Sequence, residues 1–308
     1  MSDIVIVGGI NIDIEGYPYK DLKEQDSNPG RIKIAYGGVG RNIAENAARM
    51  GEKVAMLSVI GSDELGRGAK SHLASLGVDV SMIREVPGRG SAIYLSILDA
   101  NRDMHLGLCD MEIIEEMTAE DIAEANQMFK DASAVALDGN LEEKMLRDAT
   151  EILAGKRLFY DPVSANKAVR AKDYIGRFHS IKPNLIEAEV LSGKKIETEE
   201  DLRAAAEYFL DKGVKNIYIT LNSEGVFFKN KEKEGFIKPA KSIKIESATG
   251  AGDAFSATIL YGMAHNLEID EIAALGMAAS QIAMESEKAV NEEINMEEIK
   301  RRAKQNVQ

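Results

Sequence analysis

The sequence predicts an α/β fold in which helices cover both faces of a mostly parallel central sheet. Short apolar runs alternate with stretches of helical periodicity along the 308 residues. The first run ends at Gly8-Gly9, and Gly77 closes an early helix. Strands that alternate with helices are typical of parallel sheets, because each crossover needs a covering helix. The predicted strands are 4–7, 54–59, 134–137, 158–160, 180–181 and 216–220, and the predicted helices are 42–50, 64–76, 141–154, 199–211, 254–264 and 270–284.

Two stretches interrupt this alternation and predict a second, smaller sheet. Residues 15–36 contain prolines and a glycine, followed by period-two alternation. Residues 89–107 contain a predicted strand at 93–98 and then a polar turn. We expect the two stretches to pair as an antiparallel sheet that stands off a single domain, 1–308, as a lid over the strand ends. The alternative is two ordinary surface hairpins.

Composition excludes several classes of function. The formal net charge is -13, from 38 basic and 51 acidic residues, which disfavours nucleic-acid binding because phosphate backbones are repelled. The single cysteine, Cys109, excludes an internal disulfide and a cysteine zinc cluster and fits a reducing cytoplasm. The first apolar run is too short for a signal peptide or a membrane span. We therefore expect a cytoplasmic protein that does not insert into membranes.

A glycine-led helix start is the most informative motif. Residues 248–255 read Ala-Thr-Gly-Ala-Gly-Asp-Ala-Phe, and the predicted helix begins near Asp253. Exposed N–H groups at such a helix start form an anion site, and the glycines let a phosphate approach the backbone. Asp253 could take a proton from a hydroxyl while those groups hold a phosphoryl group. The alternative is an ordinary N-cap after a glycine turn.

A second glycine-rich turn leads into a helix at residues 37–46, Gly-Gly-Val-Gly-Arg-Asn-Ile-Ala-Glu-Asn. It has neither the Lys-Ser or Lys-Thr of a Walker loop nor the spacing of a dinucleotide fingerprint. Gly38 could let a sugar lie against the backbone, and Asn42 can both donate to and accept from hydroxyls. A tight turn with a helix cap is the alternative.

Polar residues also follow two predicted strands. Residues 182–189 read Lys-Pro-Asn-Leu-Ile-Glu-Ala-Glu, in which Asn184 and Glu187 fit a capping box or a magnesium–phosphate cluster reached through water. Asp13, in Asn11-Ile12-Asp13, follows the first strand, where open α/β sheets bind ligands. Its carboxylate suits two sugar hydroxyls, and a loop carboxylate that caps nearby backbone is the alternative.

Together these motifs resemble the ribokinase (PfkB) family of carbohydrate kinases. The glycine pair with its Asn, the Pro-Asn-x-x-Glu segment and the Thr-Gly-Ala-Gly-Asp segment occur in that family's order and at similar separations over essentially the whole chain. The resemblance implies a ribokinase-like fold with a β-sheet lid and a phosphotransferase that uses ATP and Mg²⁺. It also implies a homodimer through the lid, and it leaves open a potassium or sodium ion near the anion site.

The resemblance implies roles for individual residues. Two departures weaken the match: Ala248 replaces an Asp or a β-branched residue, and Asn222 replaces a glycine of the nucleotide-side Thr-x-Gly-x-x-Gly, although Asn tolerates left-handed backbone angles. The implied catalytic residues are Asp253 as base with Gly250, Ala251 and Gly252 as anion hole; the substrate residues are Asn11, Asp13, Gly38 and Asn42; the cofactor residues are Lys182, Asn184, Glu187, Thr220 and Gly225, with Glu187 also the metal residue.

The implied substrate is a nucleoside. Segments 27–33, 37–44, 161–165 and 182–189 are similar to the members of the family that phosphorylate the 5′-hydroxyl of pseudouridine. Asp110 is one candidate acceptor for the extra ring N–H of that C-glycoside. Kinases for ribose, a ketose, uridine or inosine remain alternatives, as does a non-catalytic sugar-binding regulator on the same fold. A dinucleotide-dependent oxidoreductase is disfavoured because the fingerprint spacing is absent.

Overall fold

The structure is a computed structural model that describes residues 3–239 and 243–306; the rest of the predicted 1–308 domain lies outside the described residues. It confirms the predicted α/β fold, and each predicted strand is present with its ends shifted by at most a few residues. The strands are β1 (Ile4–Val7), β2 (Asn11–Pro18), β3 (Gly30–Gly37), β4 (Val54–Gly61), β5 (Ile83–Val86), β6 (Ile93–Leu98), β7 (Met104–Asp110), β8 (Ala134–Asp138), β9 (Leu158–Asp161), β10 (Ser180–Ile181), β11 (Asn216–Thr220), β12 (Val226–Lys229) and β13 (Glu234–Ile237).

The predicted helices are also present, and local caps explain several of their starts. Asp63 accepts the Gly66 N–H at 2.8 Å, and Thr198 with Asp201 forms a capping box. No helix within 3–239 or 243–306 has both the length and the apolar character that crossing a bilayer requires. The α-helices are α1 (Val39–Arg49), α2 (Glu64–Ser75), α3 (Ala119–Glu124), α4 (Asn126–Asp131), α5 (Glu143–Ile152), α6 (Ala165–Ala168), α7 (Leu185–Ser192), α8 (Glu199–Lys212), α9 (Ala251–His265), α10 (Ile269–Met284) and α11 (Met296–Asn306), and 3₁₀ helices span Glu112–Glu116, Val169–Arg177 and Asn222–Glu224.

Nine strands of the described chain form the central sheet, in the order β13-β12-β11-β10-β9-β8-β1-β4-β5. The strands from β11 to β5 pair in parallel, whereas β12 and β13 add an antiparallel edge. Alternate residues of β1 enter different cores: Ile4 and Ile6 pack with α9 and α10, and Val5 and Val7 pack on the opposite face. Burial on both faces explains why this strand is apolar throughout.

The carboxyl edge of the parallel strands collects the polar residues. Asp138 ends β8, Asp161 ends β9, Lys182 follows β10, and Thr220 ends β11. Helix α9 packs against β1, β8 and β9 and begins two residues before Asp253. Ligands of open α/β sheets bind at this edge.

The second sheet contains four strands within the described residues, in the order β3-β2-β6-β7. It begins at Asn11 rather than at residue 15 and extends to Asp110. The expectation of an antiparallel sheet was wrong for one pair: β2 and β6 run parallel, while β2–β3 and β6–β7 are antiparallel. β2 and β6 leave the central sheet in the same direction. The spacing of the two stretches along the sequence does not reveal that direction.

The pairing register gives this sheet two different faces. Asp13 lies opposite Ala35 and Tyr94, and Tyr94 lies opposite Cys109, so these residues share one face. The other face carries apolar side chains toward solvent. Its most exposed members are Ile32 at 71%, Ile34 at 57%, Leu106 at 53% and Leu108 at 59%.

Candidate active site

The glycine-led helix start that the sequence predicts is the N-terminus of α9. Its N-cap, Gly250, has φ +81°, and a Cβ there would lie 1.7 Å from the carbonyl oxygen of Ala289, so only glycine fits. The N–H groups of the first turn, including those of Gly252 and Asp253, have no acceptor within the helix. The helix dipole adds positive potential at the same point.

Asp253 lies in this first turn with a carboxyl group largely withdrawn from water. Its Oδ2 accepts a hydrogen bond from Asn42 Nδ2 at 2.8 Å. Burial, followed by repulsion from Asp161, raises the pKa of Asp253 from 3.8 to about 7, although Asn42 and Lys182 oppose the shift. A carboxyl group with a pKa near neutrality can exchange a proton under ordinary conditions, as a general base must.

Lys182 places a buried positive charge beside the N-terminus of α9. Its Nζ lies 3.2 Å from Asp161 Oδ2, and a Cβ on Gly252 would be only 3.4 Å from that ammonium. Burial opposes the charge, but the carboxylates of Asp161, Glu187 and Asp253 raise the pKa of Lys182. The ammonium therefore stays charged next to the free N–H groups.

Asn184 and Glu187 form the capping box of α7. The Glu187 carboxylate accepts the Asn184 N–H at 2.8 Å, and the Asn184 side chain accepts the Glu187 N–H at 2.9 Å. Burial, and then repulsion from Asp161, raises the pKa of Glu187. No three His, Cys, Asp or Glu residues converge on a metal-sized space in the part of the chain described. These donors suit a magnesium ion that phosphate oxygens and water hold for the most part.

The sugar-side candidates meet where β2, β3 and α1 converge. Asp13 lies within β2, not in a loop, and its Oδ1 accepts a 2.6 Å hydrogen bond from Asn11 Nδ2. Burial raises the pKa of Asp13, while the bond from Asn11 lowers it. Gly38 is the N-cap of α1 with φ +100°, and a Cβ there would lie 2.5 Å from the Gly9 carbonyl oxygen. The bond from Asn42 to Asp253 links this group to the first turn of α9.

The predicted nucleotide turn follows β11. Thr220 N–H donates to the Pro183 carbonyl at 3.0 Å, and Thr220 and Asn184 form a parallel bridge, which joins the two predicted cofactor segments. Asn222 has φ +53°, so the asparagine that replaces a glycine does adopt the left-handed conformation. Gly225 has φ +105°. A cavity of about 810 Å³ borders this turn, lined by residues that include Leu185, Ile196, Thr198, Leu221, Phe236 and Lys238.

Two carboxylates at this edge were not assigned roles from the sequence. Asp161 holds Lys182 and also accepts from Ser256 Oγ at 2.6 Å. Asp138 is buried and accepts the N–H groups of Gly9 at 3.0 Å and Gly40 at 2.8 Å, so it fixes both glycine turns. Each is an acid at the end of an apolar strand, and that signal was visible in the sequence.

Asp110, the candidate contact for the base, pairs with Ile93 and lies on the face of the small sheet opposite Asp13. This position counts against Asp110 as a contact for the base.

Comparison with known proteins decides the family. Residues 1–295 match the family described as pfkB family carbohydrate kinase. The chain belongs to the pfkB family. It is 34% identical to the pseudouridine kinase of Escherichia coli (strain K12) over 294 residues, which cover 95% of this chain and 94% of that protein. It is 29% identical to the ribokinase of Haemophilus influenzae, over 91% of this chain and 92% of that protein.

A solved ribokinase structure has the same fold. The structure of Arabidopsis thaliana ribokinase complexed with ribose and ATP superposes with a TM-score of 0.85 and 19% identity, over 98% of this chain and 99% of that one. Membership of the pfkB family makes this chain a phosphotransferase that acts on a hydroxyl acceptor, a sugar or nucleoside kinase.

Proposed function

We propose that the protein is an ATP-dependent pseudouridine kinase that phosphorylates the 5′-hydroxyl of pseudouridine to give pseudouridine 5′-phosphate. The observation that carries the kinase chemistry is Asp253, a carboxyl group with a pKa of about 7 in the first turn of α9. The 34% identity to a pseudouridine kinase over nearly the whole chain supports the choice of substrate.

In this mechanism the γ-phosphate of ATP lies against Gly250, Ala251 and Gly252. The free N–H groups and the Lys182 ammonium stabilise the negative charge of the transferring group. The 5′-oxygen forms its bond to phosphorus as the bond to the ADP oxygen breaks, and Asp253 takes the hydroxyl proton and later releases it to solvent. The protein mainly positions the reactants and complements their charge.

The nucleotide would extend from α9 toward the turn between Thr220 and Gly225. Asn184 and Glu187 lie between these regions at the sheet edge, where they would reach a magnesium ion through water. Magnesium would neutralise phosphate charge there. The 810 Å³ cavity beside the turn has the size of a small-molecule site.

The ribose would bind between Asn11, Asp13, Gly38 and Asn42. The base would then face the side of the small sheet that carries Asp13 and Tyr94. Pseudouridine has a ring N–H where uridine has a C–H, so an acceptor on that face would discriminate between the two, since uridine would leave the acceptor unpaired.

The small sheet would act as a lid that excludes water, and its apolar face would pair with that of a second copy. Ile32, Ile34, Leu106 and Leu108 are each more than half exposed on that face, and a monomer would leave them in water. A homodimer covers them without blocking the face that carries Asp13. We place the enzyme in the cytoplasm, where ATP is available.

Substrate preference tests the proposal. We expect kcat/KM, measured with saturating ATP and magnesium, to favour pseudouridine over uridine by as much as roughly 10⁴-fold, as for sites built around one hydrogen bond. Inosine and ribose complete the panel. A ratio near one, or a preference for uridine, inosine or ribose, would overturn the choice of substrate, and no ATP consumption with any acceptor would favour the non-catalytic regulator.

A further inference from the structure

A buried arginine lies directly behind the Asn42–Asp253 hydrogen bond. Arg41 is only 4% exposed, although it belongs to a helix at the edge of the site. Its Nη1 donates to the Tyr36 carbonyl and to Asn42 Oδ1, both at 2.9 Å. Its Nη2 donates to the carboxylate of Glu45. The chain Glu45–Arg41–Asn42–Asp253 is therefore continuous.

The chemistry of these groups sets the orientation of the Asn42 amide. A guanidinium has donors and no acceptor, so it can face only the oxygen of an amide. With its oxygen held by Arg41, Asn42 must present its NH₂ group to Asp253. If the amide turned over, two donors would face each other at Arg41 and two acceptors at Asp253.

The positive charge of Arg41 also favours the ionised form of Asp253. Arg41 and Asp253 interact electrostatically, and Asp13 also lies within the field of the guanidinium. His72 Nδ1 is 3.2 Å from Arg41 Nη2, and burial lowers the pKa of His72. The other charged groups around Asp253 are Asp138 at the end of β8, Asp161 at the end of β9 and Lys182 after β10.

We propose that Arg41 is a positioning residue for Asp253: it fixes the Asn42 amide so that the base receives a hydrogen bond and its ionised form is favoured. This inference rests on the proposed role of Asp253. It adds a residue that touches neither substrate nor nucleotide, yet sets the pH at which the base becomes active.

The test compares pH profiles of kcat/KM for the whole enzyme. In Arg41→Met the loss of charge and of amide orientation should move the acid limb upward by about one pH unit, the usual effect of one charged neighbour. Arg41→Lys keeps the positive charge but lacks the paired donors of the guanidinium. Its acid limb should lie between that of Arg41→Met and that of the wild type. Arg49→Met is the matched control, because Arg49 also donates to Glu45, at 2.8 Å, but does not contact Asn42. We expect its acid limb to coincide with that of the wild type.

The outcomes separate the two proposals. An acid limb that is unchanged in Arg41→Met, while Asp253→Asn is inactive, would overturn only the role of Arg41. An active Asp253→Asn would overturn the base itself. Arg41→Gln, which can pair with either end of the amide, replaces the Met variant if that variant does not fold. If neither folds while Arg49→Met does, Arg41 is structural and the proposal fails.

Discussion

At about pH 8, Asp253→Asn should increase the stability of the fold, although the same substitution inactivates the enzyme. Burial and repulsion from Asp161 raise the pKa of Asp253 from 3.8 to about 7, so the folded chain holds this proton more tightly than the unfolded chain. The stability contributed by such a group is fully present below its unfolded pKa and is lost as the pH rises through its folded pKa. Above about pH 7 the wild-type fold therefore contains an unfavourable buried charge.

The size of this effect follows from the shift. About three pKa units correspond to about 4 kcal/mol, at about 1.4 kcal/mol per unit. Asp253 keeps partial contact with solvent, which screens the charge, so we expect Asp253→Asn to gain about 1–2 kcal/mol at about pH 8. The gain should disappear near pH 4, where Asp253 is protonated in the folded chain. Loss of the proton acceptor should lower kcat by about 10²–10⁴-fold.

Urea unfolding at the two pH values measures the stability, and single-substrate kinetics measures kcat. Asp270→Asn is the matched control: Asp270 lies in the first turn of α10, and although burial raises its pKa, the bond and charge of Lys233 together with backbone N–H groups lower it overall. That variant should lose stability at neutral pH rather than gain it, with kcat unchanged. A kcat near wild type in Asp253→Asn, or a loss of stability at about pH 8, would refute the reasoning.

Two further predictions concern the small sheet. Asp13→Ala should lower kcat/KM for the nucleoside by an amount equivalent to about 1.5–3 kcal/mol, the value of a hydrogen bond to a charged group. The affinity for ATP should stay nearly unchanged. An equal fall in the affinities for ATP and for the nucleoside would make Asp13 structural. Ile34→Glu combined with Leu108→Glu should convert a dimer to a monomer in light scattering, because carboxylates would enter an apolar interface. Ile152→Glu, on the exposed face of α5, is the control, and a wild-type protein that is already monomeric would contradict the dimer.

The order of elements and the helix start at Asp253 were predictable because their signals are local. Apolar runs locate the strands, and glycines next to Asp253 mark a helix start whatever the rest of the chain does. The partners of these residues were not predictable in the same way. Asn42 and Asp253 are 211 residues apart, and Asp138 reaches Gly9 across 129 residues. Such contacts depend on strand order, which periodicity does not specify.

The resemblance to a family supplied the roles but not the supporting charges. The resemblance implies functions for the motif residues Asp253, Asn184 and Glu187. Asp161 and Arg41 lie in segments that carry the resemblance, but it implies no function for them. Their importance becomes visible only in the folded structure, in which Asp161 lies 3.2 Å from Lys182 and Arg41 lies 2.9 Å from Asn42. A buried charge needs a partner, so each motif charge implies a second residue that a motif alone does not identify.

The small sheet can serve a site and a dimer at once only if its register is fixed. Side chains alternate between faces with period two, so a slip of β3 by one residue would turn Ile32 and Ile34 toward the site and Lys33 away from it. The contact between Asp13 and Gly37 opposes a slip that brings another residue there: a Cβ at residue 37 would lie 2.1 Å from Asp13 Oδ2, so a larger residue would displace the Asp13 carboxylate. If β3 slipped so that Tyr36 took that place, its side chain would displace the carboxylate. The same glycine turn that leads into α1 and Asn42 therefore also helps to fix which residues of β3 share a face with Asp13.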